Sequence, residues 1–95
     1  MTTRATPYAR LGDHLAAQHA AGMERVLLTF AAIEAIIGRP LPPTARDARS
    51  QGRRWWTHAD GRAHAWDGWV RVGWAVAAVD LAGATVTFAR REPVA

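Results

Sequence analysis

The stretch Arg25-Val26-Leu27-Leu28-Thr29-Phe30-Ala31-Ala32-Ile33-Glu34-Ala35-Ile36-Ile37-Gly38 holds a strand and a helix with no linker between them. Arg25 to Thr29 reads as a short strand. It is too apolar to alternate cleanly, so burial is expected on much of both its faces. Thr29 then has the side chain an N-cap needs, an oxygen that can accept from a free amide of the following turn. Phe30, Ile33 and Ile37, with Ile36 beside them, form one apolar helical face. Gly38 ends that helix and Pro40 prevents it from resuming.

Working outward, Pro7 suits a first helical turn, and Tyr8, Leu11 and Leu15 follow at i, i+3 and i+7. This predicts a first helix running to about Gln18, weakened by about 1 kcal/mol at Gly12 relative to alanine. Towards the C-terminus, Trp74 to Leu81 and Ala84 to Arg90 read as two strands joined by a turn around Ala82-Gly83. Val86 and Phe88 face one way, Thr85 and Thr87 the other, and Asp80 lies near the turn. The expected fold is α+β, with three to four short helices packed on a small antiparallel sheet that ends in a C-terminal β-hairpin. Residues 7–91 make the single domain, residues 1–6 a flexible N-terminus and residues 92–95 a tail.

The chain has 95 residues and no cysteine, which excludes disulfides, thiolate zinc sites and thiol catalysis. No segment approaches the length of uncharged apolar sequence a membrane helix needs, and Met1-Thr2-Thr3-Arg4 lacks the hydrophobic region of a signal peptide. A cytoplasmic protein is expected, at the nucleoid if it binds DNA. All twelve basic residues are arginine, a bias that genomic base composition accounts for. Their placement carries more information. Charges balance in residues 1–38 and again in 72–95. The middle third sets Arg39, Arg46, Arg49, Arg53, Arg54, Arg62 and Arg71 against Asp47, Asp60 and Asp67, and so carries the whole net charge of +4. That localisation points to a surface facing a polyanion.

Within this third, Leu41-Pro42-Pro43 is an extended turn, and Thr44 with Asp47 resembles a capping box. A helix beginning at Thr44 puts Arg46, Arg49 and Arg53 within about 60° of one another on one face. Ser50-Gln51-Gly52 loosens or ends it, and Thr57 to Gly61 is a loop. A further helix is expected over Arg62 to Val72, with Trp66, Trp69 and Val70 sharing a face and Gly73 as its stop. Helical spacing and strand position assign Trp66, Trp69 and Trp74 to the core. Trp55 and Trp56, read as an extended pair, point to opposite sides, with Trp56 the buried member and Trp55 facing the arginines.

Several segments together resemble a family of small uncharacterised prokaryotic domains: Tyr8-Ala9-Arg10-Leu11 with Leu15, Leu28 to Gly38, Leu41-Pro42-Pro43-Thr44-Ala45-Arg46, Trp55-Trp56, Trp69 through Gly73-Trp74, and Val86-Thr87-Phe88 with Arg90. The family pattern runs Y-x-x-L, L-T-F-x-x-I-E-x-I-I-G, L-P-x-[ST]-A-R, W-W-x-N, A-G-W and V-x-F. The resemblance covers residues 8 to 91 and implies a self-contained α+β domain, with no activity attached. Its polar and aromatic positions fall on Thr44, Arg46, Trp55, Trp56 and Trp74. His58 stands where the pattern has asparagine, and Val72 where it has alanine.

The expected function is non-catalytic binding of duplex DNA through Arg39, Thr44, Arg46, Arg49, Arg53, Arg54, Trp55, His58 and Arg62. Guanidinium groups grip phosphates and guanine edges in bidentate fashion. Duplex is preferred to single strands because the aromatic side chains are needed for the core. The bland alternative is a solvated face with local pairs, Arg46 or Arg49 to Asp47 and Arg71 to Asp67. A second functional alternative is an accessory domain that binds an acidic protein through the same surface. The free edge of a small sheet would also let two copies pair as a homodimer. His58, Asp60 and His64 lack a recognised metal-ligand spacing, His14 and His19 do not share a helical face, and no phosphate loop or nucleophile motif is present. Neither metal nor cofactor is expected, and a nuclease built on Asp60, Asp67 and His64 ranks below the binding readings.

Overall fold

In the computed structural model, which describes residues 6–49, 51–57 and 61–91, the chain opens with α1 (Ala9–Ala20) and passes through Gly22 into β1 (Arg25–Thr29). α2 (Phe30–Ile37) follows without a break. Thr29 stays extended, and its hydroxyl oxygen accepts from the Ala32 amide at 3.0 Å, while Gly38 closes the helix in the left-handed conformation at φ 76°. Next come α3 (Pro43–Arg46), α4 (Gly52–Thr57) and α5 (Ala63–Gly68), then a 3-10 turn over Val70–Val72. The chain finishes with β2 (Trp74–Asp80) and β3 (Thr85–Arg90), a hairpin whose turn is fastened by the Gly83 amide donating to Asp80 Oδ1 at 2.9 Å.

The sheet order is β1-β3-β2, antiparallel throughout, so the last strand of the chain is the central one. This is the expected α+β architecture. Val26, Val79, Val86, Phe88 and Trp74 cover the sheet's inner face and meet Leu11, Leu15, Ile33, Ile37, Trp56 and Trp69 from the helices, all buried. The centre is aromatic: Phe30 stacks on Trp56 at 5.7 Å between ring centroids, Trp56 on Trp69 at 5.8 Å, and Phe88 closes against both. Each such side chain contributes roughly 1.5–3 kcal/mol by leaving water.

Four local expectations are corrected. β1 is an edge strand buried on one face only, so Leu27 on the other face is 63% exposed. The helix expected from Thr44 through Arg53 is two, because Asp47 is extended at ψ 98° and its carboxylate takes the amides a helix would have used: Oδ1 accepts from Arg49 N at 2.9 Å and Oδ2 from Gln51 N at 3.3 Å. The helix expected over residues 62–72 also breaks. Trp69 leaves helical geometry at φ −148°, which decouples Trp66 from Trp69 and leaves Trp66 56% exposed rather than in the core. Finally, Trp55 and Trp56 are helical, in α4, and not extended. Trp56 is nonetheless the buried member. The loop expected over 57–61 lies for the most part outside the described residues.

α1 docks on α5 where Gly12 lets the backbones meet. A Cβ there would overlap the Asp67 carbonyl and come within 2.8 Å of Arg71 Nη2. Arg71 does not pair with the Asp67 carboxylate. Its Nε donates to the Asp67 carbonyl at 3.2 Å, and its Nη2 to Ala9 O at 3.0 Å and Asp13 Oδ1 at 3.2 Å. The Asp67 carboxylate instead accepts from the amide and hydroxyl of Thr6 at 2.7 and 2.8 Å. Together these contacts pin the start of α1.

Candidate nucleic-acid interface

The arginine-rich segment begins at a proline-set turn. Pro42 occupies the N-cap position of α3 and Pro43 its first turn, where a missing N–H costs nothing. Thr44 is therefore inside the helix and caps nothing. It is exposed, and its carbonyl accepts from the Asp47 amide at 3.3 Å. After the Asp47 turn, Gly52 N returns to Asp47 O at 2.8 Å and α4 starts. A Cβ on Gly52 would run into that same carbonyl and Leu81 Cδ2.

The break disperses the expected arginine face. Arg46 turns back onto α2: its Nη2 lies 2.8 Å from Glu34 Oε1 and its guanidinium 5.2 Å from the Phe30 ring centroid. Glu34 Oε2 accepts from the Leu41 amide at 2.7 Å. The hydrogen bond from Arg46, then that from Leu41, holds the Glu34 carboxyl below the usual carboxylate range. Arg46 is thus a fastener between α3 and α2. Arg49 in the turn and Arg53 and Arg54 on α4 are exposed, and none has a carboxylate partner among the described residues.

Trp55 is half-buried and gathers a cluster that sequence reasoning did not foresee. The His64 ring stacks on it at 4.0 Å between centroids and 10° between planes, and Tyr8 lies 5.8 Å from both rings. His64 Nε2–H donates to the Trp55 carbonyl at 3.1 Å, joining α5 to α4. Burial holds the His64 pKa below its ordinary value against the opposing pull of that hydrogen bond, and the Arg62 charge lowers it further. Burial likewise pushes the Tyr8 hydroxyl up, with the Arg39 charge opposing. The charge of Arg39 is thus felt at Tyr8 and that of Arg62 at His64. Both are exposed, and Arg39 also lines, with Arg10, Thr6 and Gly38, an open cleft between the start of α1 and the end of α2.

Of the expected site residues, Arg39 lines the cleft beside the start of α1, Arg62 lies beside Trp66, Arg49 lies in the Asp47 turn, and Arg53, Arg54 and Trp55 lie on α4. The fold diverts Arg46 to Glu34. His58, like Asp60, lies outside the described residues. Among the described residues no three histidines or carboxylates converge as a metal site would require. No described helix is long and apolar enough to cross a membrane. Tyr8 and His64 lie 56 residues apart, a separation that leaves no periodic signal to find.

Compared with known proteins, the chain matches one family model, a domain of unknown function (DUF7662), over residues 8–92. No curated protein and no solved structure matches it. The matched span takes in α1, the whole sheet and the arginine-bearing turn and helices between them, and the chain belongs to this family, DUF7662.

Proposed function

We propose that the protein is a non-catalytic domain that binds duplex DNA through its phosphates. The observation that carries this reading is the set Arg39, Arg49, Arg53, Arg54 and Arg62: all exposed, all within one third of the chain, and none with a carboxylate partner among the described residues. A solvated, self-neutralising face would pair such charges locally, as Arg46 and Arg71 are paired. Unpaired guanidinium groups keep their bidentate donors for phosphate oxygens. Trp56, Trp69 and Trp74 are committed to the core, which leaves too few free rings for a base-stacking platform and favours duplex over single strands.

The test is a titration with random duplex, single-stranded DNA and RNA at two salt concentrations. Each phosphate contact adds roughly 0.9 to the slope of log affinity against log salt, so replacing Arg49, Arg53 and Arg54 by alanine should lower that slope by about 3. No measurable affinity at low salt ends the proposal. A second reading, docking of an acidic protein, draws on Trp66, which is exposed beside Arg62 and Val70 around a shallow cleft. Tryptophan and arginine dominate the energetics of protein interfaces. Loss of a nuclease-resistant partner on Trp66→Ser, with duplex affinity unchanged, would favour that reading.

A further inference from the structure

The two rims of the sheet are not alike. In the β1–β3 ladder, Phe30 N donates to Ala84 O at 2.8 Å and Arg90 N to Glu24 O at 2.9 Å. With the register Val26↔Phe88 and Leu28↔Val86, these end bonds set the alternation: even-numbered residues of β1 bond to β3, and Arg25, Leu27 and Thr29 aim their N–H and C=O groups away from the sheet. The Thr29 carbonyl is drawn into the first turn of α2, as an N-cap carbonyl is. The rim therefore offers both backbone groups of Arg25 and Leu27 and the amide of Thr29. β1 has no proline and no bulge, and its one charged residue, Arg25, stands at its first position, leaving the centre of the rim at Leu27 unguarded. β2, the other rim, is guarded, because its register shifts between Val76 and Ala78 and breaks the outward alternation.

We infer that β1 pairs antiparallel with β1 of a second copy of the chain, about a two-fold axis at Leu27, to form one continuous six-stranded sheet. In that register each Leu27 exchanges two backbone bonds with its counterpart, and each Thr29 N–H donates to the Arg25 carbonyl of the other copy. Leu27, 63% exposed in the single chain, meets its own symmetry mate on the outer face. Val26 and Leu28 continue the apolar inner face across the seam. The register centred on Leu27 is favoured: sliding by two residues one way sets Arg25 against Leu27 of the other copy and forfeits the leucine pair, sliding by four sets Arg25 against Arg25, and sliding the other way runs the strand into α2. The occupant is a second copy because the rim centres on Leu27, so the one large apolar side chain exposed on β1 meets an identical side chain on the axis, as an isologous interface requires. Charge permits it as well. Arg53 and Arg54 ride on α4, which packs against β2 at the opposite rim, so the two basic segments stay apart. This inference stands independently of DNA binding.

The experiment is sedimentation equilibrium of the full chain without nucleic acid, across the micromolar range. A concentration-dependent species of twice the chain mass is expected, with Leu27→Asp shifting it to monomer, since two carboxylates would face each other across the axis. A second variant guards against misfolding. The chain has no cysteine, and opposed residues in a hydrogen-bonded antiparallel pair have Cα atoms about 5.5 Å apart, inside the disulfide window. Oxidised Leu27→Cys should therefore form a covalent dimer, and Ala82→Cys at the hairpin turn should not. A monomer at every concentration, a dimer indifferent to Leu27→Asp, or equal cross-linking at both positions would overturn the inference.

Discussion

Arg46 Nη2 and Glu34 Oε1 stand 2.8 Å apart, and the other oxygen of that carboxylate holds the Leu41 amide at 2.7 Å. One side chain of α2 thereby fixes both the proline turn and α3. Because the Arg46 side chain is 43% exposed, the ion pair itself is worth little, and most of the weight lies on the amide. Glu34→Ala should cost about 1–2 kcal/mol in urea unfolding, and Arg46→Ala less, since Leu41 N–H keeps its acceptor. The Glu34 carboxyl titrates below its ordinary value of about 4.3, so its contribution is complete above that pH and is lost as pH falls through the folded-state pKa. Glu34→Gln should flatten that part of the acid limb.

His64 works in a different window. Burial lowers its pKa, so the unfolded chain takes up the proton first, near pH 6.5, and stability declines from there as pH falls towards the folded-state value. Melting temperature measured from about pH 7.5 to pH 5 should show this decline, and His64→Phe should reduce it. An unchanged profile in the variant would place the titration elsewhere.

Two buried tryptophans should respond unequally to phenylalanine. Trp56 Nε1–H donates to Ala45 O at 3.0 Å, tying α4 to α3, whereas the Trp74 indole N–H is buried with no acceptor among the described residues. Both substitutions leave a cavity, but only Trp56→Phe also orphans a carbonyl, so it should cost about 1 kcal/mol more than Trp74→Phe. Equal losses in denaturant titrations would contradict the assignment. Trp66→Ser, by contrast, should cost less than either, because more than half of that side chain is exposed.

Gly12→Ala sets two effects against each other. Helix propensity favours alanine by about 1 kcal/mol, but the new methyl group would overlap the Asp67 carbonyl and crowd Arg71. Overpacking against backbone typically costs about 1–3 kcal/mol, so a net loss is expected, read as a lowered melting temperature.

Local chemistry was legible in the sequence and tertiary chemistry was not. Thr29 as cap, Gly38 as stop and the Val86/Phe88 alternation act through neighbouring residues and were read correctly. The arginine face failed because Asp47 offers its carboxylate to the amides of Arg49 and Gln51, a competition that helical spacing does not register. Helical spacing places Trp66 in the core only if the helix runs on, and it stops before Trp69. The Arg46–Glu34 fastening and the stack of His64 on Trp55 join different elements, and nothing in the local pattern announces them.

The order β1-β3-β2 also governs when this domain can form during synthesis. Its central strand is the last of the three to leave the ribosome, so β1 waits without a partner on either side until Thr85–Arg90 emerges, and Val26 and Leu28 wait with it. The nascent chain has no stable sheet to rest on, and closure depends on contacts between distant parts of the sequence, which slow folding and prolong exposure of apolar strand. Folding therefore waits on β3, and the stretch that emerges before it is the segment that chaperones would have to shield.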